Sequence, residues 1–248
     1  MKFFIGNWKM FGVPRSINIL NKINKFIKKD SNRNKYKVIV APPFTLIETF
    51  AKKFKKSSIE IGAQNCYYKD GFASDTAAIS SYMLKKVNAK YVIIGHSDNR
   101  AEGDDNKILK AKLNHALKNN LKVIFCIGEN SKDKIKRKTY QILSNQLSSV
   151  LERKMPQSNI IIAYEPIWSI GTGNVPSNIE LEKITKKIKE ITKKIFNKQK
   201  QSYVLYGGSV DGKNIKKINN ISSIDGFLIG GASKTSKKFI DIIKNYYR

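Results

Sequence analysis

The sequence predicts one domain, residues 1–248, of the α/β class: a (β/α)8 barrel. Three observations predict it. Eight short runs rich in β-branched residues recur along the chain, helical apolar patterns separate most of them, and each run is followed by polar residues, proline or glycine. Several runs are apolar at consecutive positions, as expected of strands covered on both faces. A length of 248 residues suits eight β-α units closing into a single barrel, and 41% hydrophobic content is enough for one large core. A doubly wound sheet is the alternative, but it usually needs fewer strands and a nucleotide-binding loop after the first.

In chain order, the predicted strands are Phe3–Gly6, Lys37–Ala41, Ile59–Ala63, Tyr91–Gly95, Lys122–Ile127, Ile160–Tyr164, Tyr203–Tyr206 and Gly226–Ile229. Between the sixth and seventh, Ile184, Ile188, Ile191 and Ile195 make one apolar helix stripe with lysines opposite. Behind the strands come Asn7 and Lys9, Pro42-Pro43, Gln64-Asn65, His96-Ser97, Gly128-Glu129, Glu165-Pro166, Gly207-Gly208-Ser209 and Gly230-Gly231. In a barrel all eight strand C-termini open onto one face, where active sites are built. A lysine, a histidine and a glutamate from three distant parts of the chain would therefore meet there.

Each of these residues also has a plainer reading. His96 could cap a helix, Glu165 could be a salt-bridge partner or an N-cap, and Lys9 is one lysine among many. Pro166 fixes the chain after Glu165 and marks a constrained loop start. His115, inside Leu113-Asn114-His115-Ala116, is expected mid-helix on the solvated surface. The glycine pairs Gly207-Gly208 and Gly230-Gly231 fall after the seventh and eighth strands, where barrels often bind phosphate through backbone N–H groups. Ordinary turns are the alternative there. Gly171-Thr172-Gly173 lies too far from a strand for a dinucleotide fingerprint.

Composition narrows the classes further. Two cysteines, Cys66 and Cys126, exclude a disulfide-stapled scaffold, and with only two histidines no structural zinc site is expected. No apolar run is long enough to span a bilayer, and the first residues lack a secretory signal, so no membrane association and a cytoplasmic location are expected. The net charge of +28 raises the question of nucleic acid. Only six of the 47 basic residues are arginine, and the lysine excess travels with Asn and Ile, residues that share AT-rich codons. The lysines are spread over helix faces, as in Lys183-Lys186-Lys187-Lys189-Lys193-Lys194, and no nucleic-acid-binding module is present. No dedicated nucleic-acid partner is expected.

Taken together, the motifs resemble those of the triosephosphate isomerase family across essentially the whole chain. Asn7-Trp8-Lys9, Gly95-His96-Ser97 and Cys126-Ile127-Gly128-Glu129 are similar to three of its strand-end motifs. The run from Ala163 to Gly173, Ala-Tyr-Glu-Pro-Ile-Trp-Ser-Ile-Gly-Thr-Gly, is similar to its catalytic glutamate and mobile lid. Tyr206–Val210 and Ile229–Ser233 look like its two phosphate-binding turns. The resemblance implies a TIM barrel that interconverts dihydroxyacetone phosphate and D-glyceraldehyde 3-phosphate through an enediolate, in glycolysis and gluconeogenesis. It implies Glu165 as the base, neutral His96 as the donor to the carbonyl oxygen and Lys9 as a positive charge beside the developing oxyanion. Asn7, Lys9, Gly171, Ser209, Gly230 and Gly231 would bind substrate. It also implies a homodimer, and no metal or organic cofactor, since the substrate's carbonyl is itself the electron sink. Other phosphate-binding barrels, such as pentose-phosphate epimerases or tryptophan-pathway barrels, fit the lid motif and the Lys9, His96 and Glu165 set less well.

Three departures from the family pattern stand out. Asp98-Asn99-Arg100 replaces Glu-Arg-Arg after His96-Ser97. Ala73–Ala78 replaces Gly-Ala-Phe-Thr-Gly-Glu in the loop that the family buries in the partner subunit, so a weakened dimer is expected. Asn174 stands at the end of the lid where lysine is usual.

Overall fold

A computed structural model describes residues 1–248. Eight parallel strands close into a barrel in sequence order: β1 (Lys2–Asn7), β2 (Tyr36–Ala41), β3 (Ile59–Ala63), β4 (Tyr91–Ile94), β5 (Lys122–Ile127), β6 (Ile160–Tyr164), β7 (Tyr203–Tyr206) and β8 (Gly226–Ile229). The ring is completed by β8 against β1, Phe3 opposite Gly226 through Gly6 opposite Ile229. Five strands match the predicted bounds at both ends. The fourth stops one residue short of its prediction because Gly95 adopts φ +77°, a left-handed turn that leaves the ladder and aims His96 at the barrel mouth.

Helices ring the barrel: α1 (Ile17–Lys29), α2 (Phe44–Phe54), α3 (Ser81–Lys86), α4 (Ser97–Ala101), α5 (Asn106–Lys118), α6 (Ser131–Ile135), α7 (Thr139–Ser148), α8 (Asn178–Phe196), α9 (Ile215–Ile218) and α10 (Ser236–Tyr246). Alternation along the strands sorts apolar side chains into two concentric cores. Twelve buried residues, among them Ile5, Ile39, Ile93, Ile124, Ala163 and Leu228, fill the barrel lumen. A much larger shell of 52, including Phe4, Val38, Ile94, Phe125 and Ile184, lies between strands and helices. No helix is long and apolar enough to cross a membrane.

Not every lysine is on a solvated face. Lys189, in the basic run of α8, is buried and pairs with Asp225 at 2.8 Å, and Lys112 is buried against Asp104 at 2.7 Å. Periodicity alone does not reveal this, because the long lysine stem packs like an apolar chain while its ammonium finds a carboxylate. His115 does lie within α5, but it is half-buried rather than free in solvent, with Nδ1 3.8 Å from the Asp70 carboxylate.

Candidate active site

At the C-terminal ends of the strands a cavity of about 740 Å3 is lined by Asn7, Lys9, His96, Glu165, Gly171, Ser209, Gly230 and Gly231. All eight residues singled out in the sequence therefore reach one cavity.

Lys9 enters it from a strained backbone, φ +54°, a region that non-glycine residues seldom occupy. Two contacts hold it there. Its N–H donates to the Asn7 side chain at 3.1 Å, and Gln64, just past β3, donates to its carbonyl at 2.9 Å. The same Gln64 amide also bonds Ala41 at the end of β2. Gln64 was visible in the sequence only as a polar residue after a strand; its task depends on three strands meeting. The Lys9 ammonium lies 3.1 Å from the Asp98 carboxylate.

His96 is the N-cap of α4, so the plain capping reading and the functional one are both met by the same ring. The backbone N–H of Asp98 donates to Nδ1 at 3.1 Å. An Nδ1 that accepts cannot carry a proton, so the ring is the neutral tautomer with its proton on Nε2. Nε2 faces the cavity, 3.5 Å from Oε1 of Glu165. The Asp98 carboxylate is farther from Nδ1, at 3.6 Å. Arg100 supports this corner by donating to the Gly95 and Cys126 carbonyls at 2.8 and 2.9 Å.

Glu165 is 4% exposed, and its Oε2 has no hydrogen-bond partner. Burial pushes its carboxyl above the ordinary range; the Cys126 thiol hydrogen-bonded to it and the Lys9 charge oppose that rise without cancelling it. Two glycines make room for it. A Cβ on Gly128 would overlap the Glu165 carbonyl, and one on Gly207 would overlap its side chain.

The segment after Glu165 folds over the cavity. Pro166 leads into a 3-10 turn, Ile167–Ser169, and Gly171 and Gly173 take left-handed φ values of +71° and +80°. Its root is held by Glu129, which accepts from Trp168 Nε1 at 2.9 Å and from the Tyr164 hydroxyl at 3.1 Å. Its far end is held by Ser209, whose hydroxyl donates to the Ser169 carbonyl at 2.8 Å and accepts from Gly173 N–H at 3.2 Å. Opposite, Ser233 closes a tight turn on the Gly230 carbonyl through both its N–H (3.0 Å) and its hydroxyl (2.6 Å). Glu129, Trp168 and Ser169 were present in the sequence motifs without an assigned task; pairing between buried donors and acceptors has no periodic signature.

No group of three or more His, Cys, Asp or Glu side chains is arranged to hold a metal ion. A base in low dielectric, an imidazole N–H and an ammonium around one cavity can move a proton between neighbouring carbons while stabilising negative charge on oxygen.

Residues 2–246 match the family model described as triosephosphate isomerase. The chain is 39% identical to the triosephosphate isomerase of Thermodesulfovibrio yellowstonii, over 98% of each chain. It is 37% identical to that of Wolbachia pipientis wMel, over 98% of this chain and 94% of the relative. The crystal structure of triosephosphate isomerase from Bartonella henselae superimposes with a TM-score of 0.90 at 30% identity, covering 100% of this chain and 99% of that one.

Proposed function

Because this chain belongs to the triosephosphate isomerase family and interconverts dihydroxyacetone phosphate and D-glyceraldehyde 3-phosphate, we propose that Glu165, His96 and Lys9 carry that reaction. The observation that carries the assignment is buried Glu165, whose Oε2 has no partner and whose Oε1 lies 3.5 Å from Nε2 of His96.

Glu165 takes the proton from the carbon next to the carbonyl. The C–H electron pair becomes the enediolate double bond, and the carbonyl π pair moves onto oxygen, where His96 Nε2–H donates to it. The proton of the adjoining hydroxyl passes by way of His96 to the former carbonyl oxygen, and the same carboxyl then returns its proton to the former carbonyl carbon, leaving the new carbonyl where the hydroxyl stood. Lys9 supplies positive charge near the oxyanion and phosphate, with Asn7 beside it. Gly171, Ser209, Gly230 and Gly231 hold the phosphate through backbone N–H groups. The lid, numbers 166–173, excludes water and so protects the enediolate from losing phosphate. The coupled assay with glyceraldehyde 3-phosphate tests these roles: His96→Gln should chiefly lower kcat, and Lys9→Met should raise KM as well. Unchanged kinetics in either variant would remove that residue from the mechanism.

The assembly we propose is a cytoplasmic homodimer in which residues 1–248 form one catalytic domain. Exposed Met10 and Phe72 support it, being apolar side chains on the same end of the barrel as the cavity. Phe72 lies just outside the altered Ala73–Ala78 stretch. Ser74, Asp75 and Thr76 offer little apolar area, so the dimer is a weak one. Sedimentation over a dilution series checks this; a dimer persisting at picomolar concentration would show that the altered loop costs nothing.

A further inference from the structure

The charge that isomerisation leaves unused collects at the other end of the barrel. A second cavity, of about 890 Å3, opens at the N-terminal ends of the strands. Its floor is the lowest inward-facing layer of the lumen, where Phe3, Tyr91, Ile161 and Tyr203 meet and the Phe3 and Tyr203 rings stand edge to face at 5.1 Å. Lys37 and Lys122 belong to the same layer, because Ile39 and Ile124, two residues further along their strands, point into the lumen core. The Lys122 ammonium lies 5.6 Å from the centre of the Tyr91 ring. Arg153, Lys154, Lys198 and Lys200 complete the rim. Gln157 secures that rim by donating to the Lys200 carbonyl at 2.9 Å and to the Ser202 hydroxyl at 3.1 Å.

Six cations line this cavity and no carboxylate does. Only Lys154 has an acidic partner, Glu152 at 3.3 Å, and Glu60 nearby accepts the Tyr91 hydroxyl at 2.9 Å. The catalytic cavity is balanced by contrast: Lys9, Lys213 and Lys238 against Glu165, Asp211 and Asp241. A sequence whose lysines read as evenly spread thus folds with a concentrated positive mouth, only partly compensated by Glu152 and Glu60, at the end remote from the chemistry. Crowded like charges repel, and a ligand bearing several negative charges relieves that repulsion. Of the floor's aromatic rings only that of Tyr203 is partly exposed, with the Lys200 ammonium 6.0 Å from its centre, and the volume falls in the range of small-molecule sites.

We propose that this N-terminal mouth is a second binding site, for a nucleoside polyphosphate whose base lies against the Tyr203 ring and whose phosphate chain runs among the rim cations. The occupant is distinct from the triose phosphate and needs none of the catalytic residues.

Titration calorimetry on the whole protein at ~150 mM salt, with triose phosphate in excess to occupy the catalytic cavity, tests this. ATP should bind one per chain, and inorganic tripolyphosphate at least about tenfold more weakly, because it lacks a base to stack. Reversing the exposed rim charges, Arg153→Glu with Lys200→Glu, should lower ATP affinity about tenfold or more and leave kcat/KM within about twofold. The same reversal at Lys22 and Lys25 on α1 should leave ATP binding unchanged. Four outcomes would overturn the proposal: no ATP binding at millimolar concentration, displacement of ATP by triose phosphate, tripolyphosphate binding as tightly as ATP, or equal losses in the two charge-reversed proteins.

Discussion

Two carboxylates stand at neighbouring strand ends, both out of solvent, and their surroundings could hardly differ more. Glu129, 1% exposed, accepts from Trp168 Nε1 and sits 3.1 and 3.2 Å from the Tyr164 hydroxyl. Glu165, 4% exposed, has one oxygen without any donor and the other 3.5 Å from His96 Nε2. The difference teaches that burial does not by itself identify a working acid or base. A buried carboxylate whose two oxygens are both filled is a fastening; one that keeps an oxygen empty is held ready for a proton.

The largest expected effect comes from removing the ready one. Glu165→Gln should keep the fold and phosphate binding while lowering kcat by ~10³ or more, since it removes proton abstraction and little ground-state contact. A loss below about tenfold in the coupled assay would put the base elsewhere. Glu129→Gln should leave the base in place and lower kcat far less, through a loosened lid root.

Stability should reverse that ranking. Replacing Glu129 by Gln sets an NH2 against donors and costs about 1–3 kcal/mol, read as a lower Tm. Glu165→Gln should raise Tm at neutral pH. Burial lifts the Glu165 carboxyl above its unfolded value, so the native state holds the proton more tightly. The stability tied to that carboxyl is present below the ordinary carboxylate range and lost as pH rises through the raised value. Equal Tm shifts of the same sign in both variants would erase the distinction between the two sites.

The pH profile sharpens the same contrast with a smaller effect. Only ionised Glu165 can act as base, so the acid limb of kcat/KM should bend at a pH above the usual carboxylate range. A bend at or below pH ~4.3, the value of an unperturbed glutamate, would deny any effect of burial. Smallest is the response to salt. A +28 protein attracts a phosphate monoester, and raising inert salt from ~0.1 to ~1 M shortens the screening length from ~10 to ~3 Å. Stopped assays across that range should show kcat/KM falling severalfold and kcat nearly constant.

The strands were legible because a fully covered β-strand has no choice but to be apolar on consecutive positions, and the bounds of β5 through β8, apolar apart from Lys122 at the start of β5, match that reading to the residue. His96 and Glu165 were legible because polar side chains directly behind such runs must emerge at the barrel mouth. What the sequence did not disclose was pairing. Gln64 bridging three strands, Ser209 fastening the lid and Glu129 gripping its root all involve residues far apart in the chain, at spacings no local pattern encodes. The same holds for charge: Lys37, Lys122, Arg153 and Lys200 lie on separate elements, and only barrel closure gathers them.

The scarcity of acids carries a further consequence. With 19 acidic residues against 47 basic ones, this molecule folds against a standing outward pressure, much as a charged droplet does. Dissolved ions relax that pressure. Electrolyte should therefore act on this protein with two opposite hands, thinning the long-range pull on its substrate while making the folded chain harder to open.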